Sequence, residues 1–204
     1  MIFNSTGLSY VMKNYMILTS WTYLREMVQT LNNIKNIDTN FRLTSSILNP
    51  KYVFVFFQRS NKINSQNNNP YSFDTFKLNE ADDNCHLQSA RLAVGNGIYY
   101  PEIEYSYDNI VRILKAVNNY DYNQNDKNTG SLLTLKNFKE LYGMLFFNIA
   151  YKNETDNITN DPKEFILNYK LKSAPNDDYT IYSIVFYEQT VKVDVLGKEL
   201  ILYS

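Results

Sequence analysis

The stretch whose reading decides the fold is PKYVFVFFQ, Pro50 to Gln58. At a period of two, Tyr52, Phe54 and Phe56 fall on one face and Val53, Val55 and Phe57 on the other. Aromatic and β-branched residues fill the run, and Pro50 stands at its start, where a missing N–H does least harm. It is far too short to cross a bilayer as a helix. An antiparallel sheet normally leaves one face wet, so a strand apolar on both faces needs cover twice. A second sheet is expected on one side, and a helix, another domain or another subunit on the other.

Working outward, the segments on either side read mostly as strands. Upstream, Leu8 to Ile17 alternates, and Phe41, Leu43, Ser45 and Ile47 share one side of a run that leads into the central strand. Trp21 to Leu31 is ambiguous, because Leu24, Met27, Val28 and Leu31 sit at helical spacing; a short helix and a strand fit equally. Downstream, SNKINSQNNNP is a polar loop whose deletion over residues 61–69 should leave the fold intact. His86 to Val94 alternates up to the turn signal Gly95-Asn96-Gly97, with Ile98 to Pro101 extended after it.

Asp108 to Asn118 predicts a helix, with Ile110, Val111, Ile113, Leu114 and Val117 on one stripe and Ser106 or Asp108 as its cap. A second polar loop covers residues 121–131, and Thr134 to Leu141 predicts a short helix stopped by Gly143. Met144 to Tyr151, Glu164 to Leu171, Tyr179 to Tyr187, Val191 to Val195 and Leu200 to Tyr203 then read as strands. The expectation is an all-β, eight-stranded jelly-roll β-sandwich with one or two short helices in its connecting loops, residues 1–204 forming a single domain.

Composition supports a folded chain and removes several functions. Of 204 residues, 44% are hydrophobic and 15% aromatic, ample for a core. A net charge of −1 supplies no field that would draw the chain onto nucleic acid, so no specific nucleic-acid site is expected. Lys51 beside Tyr52 and Phe54 superficially resembles a base-stacking surface, but the apolar neighbours point to core packing. One cysteine excludes an internal disulfide. No signal peptide or membrane-spanning segment is evident, and the sequons at Asn4, Asn153 and Asn157 fit chance in so asparagine-rich a chain.

Catalytic and metal chemistry find little support. Cys85 and His86 are adjacent on a strand and point to opposite faces, so they cannot act as nucleophile and base; a buried cysteine beside a partly exposed histidine is the simpler reading. Two such residues are too few for a zinc site. The carboxylate pairs are Asp82 with Asp83, Glu102 with Glu104, and Asp177 with Asp178. Glu102 and Glu104 share a strand face, as a glycosidase or a calcium site would need, yet they lie beside Pro101 in an exposed turn. No catalytic residue, cofactor or metal ligand is assigned, and no enzyme is expected.

One resemblance adds to this reading. PKYVFVFFQ, the asparagine-rich loop with Phe73, and DNCHLQSARLAVGNGIYYP (Asp83 to Pro101) come in that order. The helix after Tyr105, LLTLKNF (Leu132 to Phe138), LFFNIAY and TIYSIVFYEQTVKVD follow. Together, from Pro50 to Leu202, they resemble the second jelly roll of the double jelly-roll major capsid proteins of virophages and Maverick/Polinton elements, with mavirus-type virophages the nearest in pattern. The resemblance implies the C-terminal half of a longer two-jelly-roll chain. It also implies trimers forming pseudo-hexameric capsomers of an icosahedral shell, contacts to neighbouring capsomers, penton and minor capsid proteins, and location in the virion. A different class stays open on the residues alone: a β-sandwich carbohydrate- or receptor-binding module on a virion or cell surface.

Overall fold

A computed structural model describes residues 19–48, 50–60, 73–76, 86–95, 98–99, 102–120, 134–149, 163–194 and 199–203. The expected strand at Leu8 to Ile17, both polar loops apart from Ser60, Cys85, Asp82, Asp83 and the three sequons lie outside the described residues.

Among the described residues, twelve strands and two helices follow in chain order: β1 (Thr19–Ile34), β2 (Asp38–Ile47), β3 (Pro50–Arg59), β4 (Phe73–Asp74), β5 (Leu87–Val94), β6 (Ile98–Tyr99), β7 (Ile103–Glu104), α1 (Tyr107–Tyr120), α2 (Leu135–Glu140), β8 (Tyr142–Gly143), β9 (Leu145–Asn148), β10 (Lys163–Leu171), β11 (Tyr179–Asp194) and β12 (Glu199–Tyr203). Eight of the strands run four residues or longer; β4, β6, β7 and β8 are two-residue pieces. One five-stranded sheet, sheet A, has the order β1-β11-β3-β9 with β12 also on β11. The other, sheet B, has the order β2-β10-β5-β6 with β7 also on β5. Every pairing in both is antiparallel. Beside them, β4 and β8 make a short parallel pair. The chain changes sheet from β1 to β2 and back from β2 to β3, which stitches the layers together. This is the expected all-β jelly-roll sandwich.

The core lies between the sheets. Val53, Val55 and Phe57 of β3 meet Leu43 of β2, Leu92 and Val94 of β5, and Phe165, Leu167 and Leu171 of β10, all buried in one cluster. Tyr169 is seated there too: its ring stands edge-on to Phe57, 5.2 Å between centroids. Its hydroxyl lies 2.6 Å from that of Tyr179, which donates to the Asn36 carbonyl at 2.8 Å. Burial holds the Tyr169 hydroxyl above its ordinary pKa, the Tyr179 hydrogen bond working against the rise and Asp38 adding to it.

Several expectations need adjusting. Trp21 to Leu31 is strand, part of a 16-residue β1 whose length is paired with β11 from Thr19↔Val193 to Ile34↔Tyr179. Tyr179 to Tyr187 and the valine run after it are one continuous 16-residue strand, not two. In β5, strict alternation would put Leu87 on the face of Ser89, but Leu87 is buried with Ala90 and Leu92. A register shift between Ser89 and Leu87 against Lys170 and Leu171 turns it inward.

Helix α1 begins where the Ser106 hydroxyl accepts the Asn109 N–H at 3.2 Å, so Ser106 is the cap and Asp108 sits in the first turn. Helix α2 is capped by Thr134, which accepts the Asn137 N–H at 3.2 Å. Gly143 does not stop α2. That helix ends at Glu140 with Leu141 as its C-cap, and Gly143 belongs to β8, where an added Cβ would stand 2.7 Å from Cδ2 of Phe76. The residue is glycine because the Phe76 ring occupies its side-chain space. The buried side chains of both helices, Ile110, Ile113, Leu114 and Phe138, join the same cluster as Val53 and Phe57.

Candidate functional site

Two surfaces qualify by geometry: an open polar cleft beside sheet B, and the outward face of sheet A. The cleft, about 540 Å³, is lined by His86, Gln88, Ser89, Glu102, Glu104, Tyr105, Lys170 and Lys172. Pairing puts these groups together: Glu104 lies opposite Ser89, and Ser89 opposite Lys170. The Tyr105 N–H donates to the Gln88 carbonyl at 2.8 Å and the Lys172 N–H to that of His86 at 3.0 Å.

The structure corrects the expected exposure of the histidine. His86 is only 6% exposed, because its ring lies on Tyr105 at 3.9 Å between centroids. The Lys139 ammonium also lies over the Tyr105 ring, 5.8 Å from its centre. Glu102 and Glu104 do share one cleft, and both are exposed, as the sequence suggested. Two lysines opposite two glutamates leave the cleft near neutral. Among the described residues no three histidine, cysteine or acidic side chains are arranged to hold a metal ion. Asp177 is exposed, and Asp178 pairs with Lys35 at 3.2 Å on the surface. Among the described residues no helix is long and apolar enough to cross a membrane.

The second surface is larger and of opposite character. On sheet A the residues alternating with the core-facing set point away from the sandwich. Register aligns Val28, Ile184, Phe54 and Phe146 in one row across four strands. The row on one side holds Thr30, Tyr182 and Phe56, and that on the other holds Glu26, Phe186, Tyr52 and Asn148. Rings pack against each other along it: Phe54 lies 4.8 Å from Phe146 and 5.8 Å from Phe186, and Phe56 lies 5.1 Å from Tyr182 and 4.0 Å from Phe73. Phe54 is buried and stands outside the central cluster. Leu24 and Val28 are 47% and 55% exposed.

Sheet B is wet on its outer face. There the rows read Asp38–Lys170–Ser89, Asn40–Asn168–Arg91 and Arg42–Ile166–Ala93. The Arg42 guanidinium meets Glu164 at 2.8 Å in the open. The sandwich therefore has one ordinary solvent face and one apolar face. The sequence had raised the possibility that the two helices cover the second face of β3. They do not: α1 packs on α2 and β9, and their apolar side chains fill the interior.

No family model and no curated protein matches the sequence. Solved structures do. The chain superposes on part of the cryo-EM structure of the Sputnik virophage with a TM-score of 0.53 and 12% identity, over 93% of this chain and 40% of that one. The crystal structure of the mavirus major capsid protein matches at a TM-score of 0.41 and 12% identity, over 92% of this chain and 41% of that one. The chain thus spans about two fifths of the length of the proteins it matches. At such identity the likeness is one of architecture, and this chain shares its fold with part of the Sputnik virophage structure.

Proposed function

We propose that this chain is one jelly roll of a major capsid protein, a shell-building unit without catalytic chemistry. The observation that supports it best is the rows of aromatic and branched residues on the outer face of sheet A. The fold shared with part of the Sputnik virophage structure supports the same reading.

In this reading the chain is the C-terminal jelly roll of a two-jelly-roll protein. Three such proteins associate into a pseudo-hexameric capsomer, and capsomers tile an icosahedral shell in the virion. Neighbouring capsomers, pentons and minor capsid proteins are its partners. Mass photometry and negative-stain microscopy of the complete gene product test it: trimers and regular particles are expected, and a persistent monomer would refute it.

The polar cleft favours a second reading, a carbohydrate-binding module, since the His86–Tyr105 corner sits among carboxylates and ammonium groups. Titration with oligosaccharides separates the two. Binding that is lost in Glu102→Gln/Glu104→Gln would favour the module, and no binding would leave the shell.

A further inference from the structure

The geometry points to a contact along the outer edge of β1. Two copies of this chain pair there antiparallel about a two-fold axis at Leu24, which joins their A sheets into one. The inference rests on the shell reading and says which edge makes the contact and what partner it takes.

A strand at the edge of a sheet offers a row of unpaired N–H and C=O groups. Proteins blunt such edges by keeping them short, bending them with bulges, or placing Pro and Lys on them. Among the described residues the other edges are treated in this way. β9 has four residues, β6 and β7 have two each, and β2 carries two register shifts against β10. β1 is not blunted. It runs 16 residues with neither Pro nor Lys, and its pairing with β11 has no register shift from Thr19 to Leu31. Among the described residues β11 is the only strand beside it. Its side chains are open as well: Tyr23, Leu24 and Val28 are 38%, 47% and 55% exposed, and Thr22, Arg25, Glu26 and Thr30 are exposed around them.

Charge and register select a second copy of the same strand. Only Arg25 and Glu26 ionise in β1, one of each sign, so two such edges meet without net charge. Residues opposed across a strand pair share a face, so a two-fold axis opposes only odd with odd and even with even. An axis at Arg25 or Glu26 sets like charges together, and one at Met27 sets Glu26 against Val28. With the axis at Leu24 the two leucines meet, Thr22 meets Glu26, and Tyr23 meets Arg25 twice, a ring against a guanidinium. Tyr23 and Arg25 are already ordered for this, because both donate to Oε1 of Gln189, at 2.8 and 2.9 Å. The paired run, Thr19 to Gln29, is about 37 Å long and about 10 Å deep, a footprint on the order of 400 Å² per copy. A free-standing dimer buries roughly 800 Å² on each partner, so this pairing suits copies already held by an assembly.

Disulfide trapping in particles of the complete gene product tests the pairing. The two Leu24 Cα atoms stand about 4.5–5.5 Å apart, within disulfide range, whereas the two Val28 Cα atoms stand about 27 Å apart. In a Cys85→Ser background treated with oxidised glutathione, Leu24→Cys should give a self-linked peptide and Val28→Cys none. Particles that form without the Leu24→Cys link, or with an equal Val28→Cys link, would overturn the inference and leave the shell reading standing. Charge swapping gives a second readout. Leu24→Lys and Leu24→Glu should each lower particle yield at least tenfold, with unchanged melting of the isolated chain. Co-assembly of the two should raise the yield several-fold, since the lysine of one copy then faces the glutamate of the other. Unaltered single-variant yields, or no rescue on mixing, would overturn the inference as well. Failure of the unmodified protein to form any particle is a separate outcome, which removes the shell reading and this inference together.

Discussion

Thr75 shows how single residues hold the sheets in register. Its hydroxyl accepts the Phe57 N–H at 3.1 Å and donates to the Gly143 carbonyl, and its own carbonyl takes the Leu87 N–H at 3.3 Å. One fully buried residue thus ties β3, β8 and β5. Thr75→Val keeps the shape and leaves the Phe57 N–H and Gly143 carbonyl short of a partner, so it should cost about 1–3 kcal/mol in urea unfolding. Tyr169 gives a pH test. Its raised pKa means the folded chain keeps the proton longer than the unfolded one, so its contribution is complete below about pH 10 and is lost as pH rises further. Stability measured by urea should fall more steeply above pH 10 in the wild type than in Tyr169→Phe. Parallel slopes would show that the buried hydroxyl has no part in it.

At the scale of elements, the two helices are parts of the core and not an outer cover. Phe138, fully buried in α2, packs 5.9 Å from Phe76, and Phe138→Ala should cost about 3–5 kcal/mol and lower the melting temperature in a single transition. A loss below 1 kcal/mol would mean that α2 is an appendage. The central strand was legible because its apolar pattern runs unbroken on both faces: Pro50 to Gln58 against Pro50–Arg59 in the structure. The region from Trp21 to Leu31 was not, since Leu24, Met27, Val28 and Leu31 satisfy a helical period as well as a strand whose two faces are both partly apolar. Pairing with a 16-residue β11 decides it, and that is a long-range fact absent from local sequence. Leu87 was misplaced for a similar reason, because a register shift breaks the alternation that sequence reading assumes. The cleft was half legible. Glu102 and Glu104 were visible as a pair, but the lysines that face them, Lys170 of β10 and Lys172 just after it, lie far along the chain.

For the whole molecule, the contrast between its two outer faces is the property that links the fold to the proposed function. Sheet B presents Asp38, Arg42, Arg91 and Lys170 to water, and sheet A presents Leu24, Val28 and a bank of rings. In the proposed shell, covering the latter would be worth about 25 cal/mol per Å² of apolar surface, so several hundred Å² would supply several kcal/mol. Hydroxyl-radical footprinting of the free chain and of the assembled particle measures that cover directly. The account predicts that oxidation at Leu24, Val28, Ile184 and Phe186 drops several-fold on assembly, while Ile166 on sheet B changes little. Equal oxidation of the sheet A residues in both states would contradict it.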